Sequence, residues 1–523
     1  MLFNSIEFIF FLLPISILFF FLSKKFSQLK LCIYILIFFS FLFYGFWTPI
    51  YIFLLIVSIT FNYYIAKLLR KNKKKYLLFF GVSANLLVLI YFKYTNFIVD
   101  NLNIFLKQKW QISDIALPLA ISFFTFQQIA YIVDNFNKDV IKHTFSEYLL
   151  FISFFPQLIS GPIVMHEKLI PQIQDKKFGN FDFFLVCSGF SLFTMGLMKK
   201  IFLADNLAYY SNNLYDSAFI GNKVEFFEGW IGSICFYFQI YFDFSGYTDM
   251  ALGIALMFGI KLPINFNSPY KSTSIIEFWQ RWHITLSQFI KNYLYIPLVS
   301  IFTSYTKKNH LMQERINKFP FIFIPVIIPI IITFSLSGLW HGASTTFLIW
   351  GLYHGILVSI NQFFRTFLIK YKVLKTENII FKLFSFITTF LCINIGWVFF
   401  RANNLDTAIS TLKGMFAFNK IILSPRLKQY LPFINENNSF VYFASENQSW
   451  LGYIRLEALL IIILSSIICF TCSSSMSLFS FINDSKRKFN PSFLTGFTTG
   501  IIFVILIVFI ISKSTSEFLY YQF

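Results

Sequence analysis

Apolar runs of about 15 to 20 residues, parted by short polar gaps, repeat along the whole chain, and most are long enough to cross a bilayer as a helix. Phe8 to Leu22, Leu31 to Phe46, Tyr51 to Ala66, Lys75 to Phe92 and Ile115 to Val133 come first. Phe181 to Met198, Trp230 to Phe244, Phe319 to Ser337, Leu383 to Phe400, Leu456 to Cys472 and Phe493 to Ile511 follow. Backbone groups in lipid find no water, so the pattern predicts an all-α polytopic membrane protein of about 11 to 13 transmembrane or re-entrant helices. The first run lacks a positive leader and a small-residue cleavage site, and Lys24-Lys25 follows it. It is expected to stay as a span with its N-terminus outside, not to be removed as a signal peptide.

Some runs are interrupted. Phe154-Phe155-Pro156-Gln157 and Ser160-Gly161-Pro162-Ile163 set prolines and a glycine in an apolar stretch. This fits either a broken segment lining a cavity or a loop between interfacial helices. Pro263 to Tyr270, with its prolines and asparagines, predicts a loop. The polar segment Asn403 to Tyr453, with Trp450 and mixed charge, is the largest extramembrane loop. No internal repeat is visible, so residues 1–523 read as one integral membrane domain, with a motif-rich core at 241–355 and an outer-face loop at about 403–453.

Composition fits this class. The 523 residues are 57% hydrophobic and include 76 phenylalanines, and the mean hydropathy is +0.66. The net charge of +19 would suggest nucleic acid in a soluble protein, but no basic face or stacking module accompanies it. The lysines collect instead in the gaps between spans, and Lys67 to Lys75 marks the cytoplasmic face by the positive-inside rule. Those lysines either set topology alone or also meet a CoA or lipid phosphate. Lys307 to Lys318 is a second basic excursion, expected on the same face. The six cysteines are dispersed; Cys469 and Cys472 lie in an apolar run and read as packing residues.

Candidate chemistry gathers between Glu277 and Gly355, which holds four of the six histidines. On a helix expected from Ser274, Glu277 and Arg281 pair at i,i+4, and Gln288 and Lys291 continue their polar stripe. At about 100° per residue His283 falls on the opposite side, level with Trp279, Leu286 and Ile290. It points inward, as a core residue or as a catalyst. Ser337-Gly338 and Gly342-Ala343 flank Trp340-His341, so His341 is expected at a break between apolar stretches, within reach of water or substrate. His354 stands one apolar stretch later, between Tyr353 and Gly355. Upstream, Asp243 and Asp249 lie beside an apolar wall; a carboxylate there faces a cavity, caps a helix or pairs with a cation. No zinc-ligand spacing or glycine-rich nucleotide loop is present, and no metal is expected.

The words Tyr241-Phe242-Asp243-Phe244-Ser245-Gly246-Tyr247-Thr248-Asp249-Met250-Ala251, Asn265-Phe266-Asn267-Ser268-Pro269-Tyr270 and Phe278-Trp279-Gln280-Arg281-Trp282-His283-Ile284-Thr285-Leu286-Ser287 stand in this order. Tyr293-Leu294-Tyr295-Ile296-Pro297, Gly338-Leu339-Trp340-His341-Gly342-Ala343-Ser344 and Gly396-Trp397-Val398-Phe399-Phe400-Arg401-Ala402 follow. Together they resemble the membrane-bound O-acyltransferase family, in its bacterial branch of alginate and peptidoglycan O-acetyltransferases. The resemblance implies helices around a central tunnel, with His341 as the essential histidine and His283 as a second histidine on the tunnel wall. Asp243, Asp249, Trp279, Arg281, Trp282, Trp340 and His354 are further candidates for lining it. It also implies acetyl-CoA as a donor substrate with no tightly bound cofactor, and passage of acetyl from the cytoplasmic to the periplasmic side of a bacterial inner membrane. A periplasmic acetyl-transferring partner and a polysaccharide acceptor complete the expectation: peptidoglycan first, alginate or another exopolysaccharide second, D-alanyl transfer to teichoic acid third. A transporter without chemistry is the rival class, but it would favour paired repeats with matching broken helices, and the motifs here are concentrated in one region.

Overall fold

The structure, a computed structural model, describes residues 1–26, 29–107, 109–110, 113, 115–138, 140–308, 324–371, 378–417, 421–423, 441–443, 456–479, 491–512 and 518–519. Helices dominate; the strands Ile421–Leu423 and Val441–Phe443 pair in parallel, with Ile421 opposite Val441. Among the described residues seven helices are long and apolar enough to cross a membrane: Phe8–Lys25, Ile50–Asn72, Lys75–Leu106, Phe183–Phe219, Thr345–Thr366, Ile379–Arg401 and Phe493–Ser512. Leu29–Gly45, Pro325–His341 and Glu457–Thr471 are shorter apolar helices. The chain is an all-α polytopic membrane protein.

Two compact units are built from interleaved stretches. The first takes Met1–Met198, Phe244–Asn265 and Ser475–Gln522. Its core is aromatic: Phe3 stacks on Tyr247 with ring centroids 4.9 Å apart, and Phe155 meets Phe258 edge-on at 5.9 Å. Amides tie its helices where lipid offers no partner: Asn85 Nδ2 donates to Asn62 Oδ1 at 2.6 Å, Asn62 Nδ2 to Gln128 Oε1 at 2.8 Å, and Gln128 Nε2 to Ser58 Oγ at 3.0 Å. The proline-interrupted stretch is not one continuous helix. Helix Phe145–Ser153 opens on a Thr144 capping box, Phe155–Leu158 is a single turn, and turns and irregular chain lead to His166. The next difference has a local cause. The segment expected from Ile115 is helical only from Ile121, because Pro118 disfavours helix before it and Ala120 turns left-handed at φ 63°. Asp114, a residue type suited to capping this segment, lies outside the described residues.

The second unit takes Lys199–Asp243 and Phe266–Ser474. Tyr237 and Tyr270 stack at 3.8 Å, and the Tyr270 hydroxyl donates to the Tyr237 carbonyl. Phe278 and Trp282 extend the stack at 5.5 Å, and Trp282 meets Trp397 at 5.0 Å. The helices Ile324–His341 and Thr345–Tyr371 form a tight hairpin. A Cβ on Gly338 would collide with the Phe347 carbonyl, and one on Gly351 with the Phe334 carbonyl. Both positions therefore need glycine for the backbones to approach so closely. Of the large loop, the helix Leu405–Phe416, capped by Asn404, and the two strands are described; Trp450 and most of the basic excursion at 307–318 are not.

Candidate active site

The site begins at a helix start. Ser274 Oγ accepts from the Glu277 amide at 3.2 Å and caps the helix Ile275–Arg281, and Arg281 Nη2 closes the expected i,i+4 pair with Glu277 Oε1 at 2.9 Å. The helix does not run on. Arg281 Nη1 donates to the Asn267 carbonyl at 3.2 Å, the Asn267 amide donates to the Arg281 carbonyl at 3.0 Å, and Trp282 is extended. His283 then turns left-handed at φ 41°, and Ile284–Ile290 starts a fresh helix. The expectation of a continuous helix is corrected here, because the Asn267 loop takes up the backbone that would have propagated it. The inward placement of His283 survives: the side chain is buried. Histidine is among the non-glycine residues that tolerate this backbone region, at a cost in strain that tends to be met at functional sites.

His341 closes the opposite wall. It ends the helix Ile324–His341, and the chain turns through Gly342 to Ser344 before the next helix starts at Thr345. The break between apolar stretches lies where the small residues predicted it. The buried imidazole is fenced by Trp340, Trp350 and Phe400, at centroid distances of 4.9, 5.2 and 5.4 Å. Those rings fix its orientation while one side stays open.

Both histidines face one cavity of about 410 Å³. Its walls come from the chain after Ile276 and from one face of the Ile324–His341 helix, where Val326, Ile330, Thr333, Phe334 and Ser337 line it, with Val358 and Gln362 beyond. Val326 and His341 are fifteen positions apart, so at 1.5 Å per residue the lining follows about 22 Å of that helix. Trp279 and Trp282 are among its lining residues, and Leu286 and Ile290 line it with His283. The sequence reading missed Gln280, Ser287, Tyr295 and Gln362, and placed Lys291 on the opposite stripe. A signal was available, since Ser287, Lys291 and Tyr295 follow His283 at successive steps of four.

The other candidates lie outside this lining. Arg281 is turned to Glu277 and Asn267. Asp243 is held by Lys200 Nζ at 2.6 Å, and the same ammonium reaches Asp205 at 3.0 Å. Trp340 meets the His283 ring at 6.5 Å. His354 is fully buried behind the wall, edge-on to Trp279 and Trp350 at 5.1 Å each, and a Cβ on Gly396 would strike its Nε2. Asp249 is buried in the first unit.

Two buried imidazoles on an apolar groove are groups able to accept and return a proton. The model of MBOAT, the membrane-bound O-acyltransferase family, matches residues 137–313. A peptidoglycan O-acetyltransferase of Helicobacter pylori is 39% identical over 468 residues, covering 84% of this chain and 84% of the relative. The chain belongs to the membrane-bound O-acyltransferase family. A probable alginate O-acetylase of Pseudomonas aeruginosa is 36% identical over 81% of this chain and 76% of its own length. A teichoic acid D-alanyltransferase of Bacillus subtilis is 30% identical over 50% of this chain and 62% of its own. This member of the family is a multi-pass membrane acyltransferase.

Proposed function

We propose that the protein is an inner-membrane O-acetyltransferase that takes acetyl from cytoplasmic acetyl-CoA and delivers it toward the periplasm for O-acetylation of a cell-envelope polysaccharide. The observation that carries this reading is the groove that leads along the Ile324–His341 helix to both histidines. A thioester is already activated; it lacks a deprotonated hydroxyl and a dry, oriented path. His341 takes the proton of the acceptor hydroxyl as its oxygen bonds to the thioester carbonyl. The tetrahedral adduct then expels the thiolate, which recovers the proton from the imidazolium, so that ester and thiol leave and the imidazole is neutral again. His283 shares the groove and serves as a second polar contact to the reacting groups. Lys291 is the ammonium of the lining and suits the anionic end of the donor.

Peptidoglycan is the preferred acceptor, because the peptidoglycan-acting relative has the higher identity and coverage of the two O-acetylating relatives described above. Alginate or another exopolysaccharide is the second reading, and a periplasmic transferase completes delivery in either case. The test is acetate released by base from purified peptidoglycan and from secreted polysaccharide, in wild type and a deletion strain. Loss from peptidoglycan alone is expected; unchanged ester in both polymers would refute the reading.

A further inference from the structure

A second cluster of ionisable groups lies in the first unit, and none of its members lines the groove. Asp134 comes from the last turn of the helix Ile121–Asn137, while His166 and Glu167 open the helix His166–Gln174. One ligand atom from each lies within 4.8 Å of the others. Asp134 and His166 are buried and Glu167 is exposed. His166 Nδ1 faces Asp134 Oδ2 at 3.7 Å, too far for a hydrogen bond, and its buried Nε2 has no partner. Ligands at about 2.1 Å from a zinc ion and 3.7 Å from each other enclose an angle of about 120° at the metal. The pair is spaced for an ion between its members.

We propose that Asp134, His166 and Glu167 form a binding site for a divalent transition-metal ion of the zinc class, with the two carboxylates and Nδ1 as ligands and a fourth position left to water. The donor set of two oxygens and one imidazole nitrogen is one that zinc accepts. Lys138 explains how the carboxylates are neutralised without metal. Its ammonium, on a half-exposed side chain, lies 3.4 Å from Asp134 Oδ1 and 3.1 Å from Glu167 Oε1. A dication replaces that monocation between two negative charges, and the lysine swings outward to solvent. The metal then ties the end of one helix to the start of another across a break of some thirty residues. This departs from the expectation of no metal, which rested on ligand spacing within single motifs.

The test is zinc binding by the purified full-length protein in detergent, with zinc chloride as titrant and Co²⁺ as a spectroscopic probe. One zinc per chain is expected, with a visible Co²⁺ band that zinc abolishes. Asp134→Asn and His166→Gln should each weaken binding by roughly tenfold or more. Lys138→Gln is the decisive variant, because it keeps all three ligands and removes the competing ammonium, so zinc should bind more tightly. Wild-type protein that takes up no zinc, ligand variants that bind as wild type, or a Lys138→Gln protein that binds no more tightly would each overturn the proposal.

Discussion

At His341 three aromatic rings pack around an imidazole that, on the proposed mechanism, changes its charge in every cycle and meets a hydroxyl in a fixed orientation. His341→Ala should therefore lower acetyl transfer by about a hundredfold to ten-thousandfold, the usual worth of general-base assistance, while the protein still inserts and accumulates. Transfer assayed in proteoliposomes decides it; wild-type rates from a well-expressed variant would remove His341 from the chemistry. His283→Ala should lower activity with donor binding intact if the residue acts in the reaction, and should weaken binding as well if it is a wall contact. Unchanged activity and stability would exclude both roles. A third residue-scale prediction concerns Lys200, buried with Asp243 at 2.6 Å and Asp205 at 3.0 Å. Lys200→Met removes the ammonium from the buried Asp243 and should cost up to about 3–5 kcal/mol, whereas Lys200→Met with Asp243→Leu should recover much of that loss. Thermal unfolding in detergent compares the two; equal loss in both would mean that the lysine acts through packing alone. The histidines were legible because an ionisable residue in an apolar run is conspicuous. The lysine was not, since its partner lies 43 positions away and only the fold joins them.

The same limit governs elements. Hydrophobic runs announce helices, and the break after His341 was announced by its glycines, but the break at His283 follows from the Asn267 loop bonding to Arg281, a contact that periodicity does not contain. The Ser287, Lys291 and Tyr295 row follows His283 at steps of four and was readable in the sequence, but its orientation relative to Glu277 and Arg281 follows from the helix restarting at Ile284. Glycine substitutions test the hairpin. Gly351→Val drives a branched side chain into the Phe334 carbonyl and should destabilise by about 1–3 kcal/mol or more, shifting the Ile324–His341 helix and with it the groove. Gly496→Ala is the control: nothing lies within 4 Å of the added methyl, and alanine favours the helix by up to about 1 kcal/mol. Unfolding temperature and transfer activity should fall together for Gly351→Val and hold for Gly496→Ala. A Gly351→Val protein as stable and active as wild type would show that the hairpin does not depend on this close approach.

For the whole molecule, the positive-inside distribution gives an expected topology, and the proposed function assigns a substrate to each face. Lys67 to Lys75 follows the third apolar run, and Lys24-Lys25 follows the first, so one consistent count puts both on the cytoplasmic side. The same count takes the helix Ile379–Arg401 outward, from the lysines between Lys370 and Lys382 to the polar loop that starts at Asn403. On the proposed function, donor and acceptor then approach from opposite sides of the bilayer, and the histidines need a passage that both can enter while CoA itself never crosses. The exposed positions Asn72 and Asn403 are suited to a direct test. A cysteine at Asn72 should react with an impermeant maleimide only from the cytoplasmic side, in inverted vesicles, and a cysteine at Asn403 only from the periplasmic side, in intact spheroplasts. The native cysteines give the background, and Cys472 in particular is exposed, so each variant is read against the parent chain and against a Cys472→Ser parent. Labelling of both positions from the same side would break the transmembrane relay while leaving the acyltransfer chemistry of the groove intact, and the acceptor would then have to be sought on the cytoplasmic face.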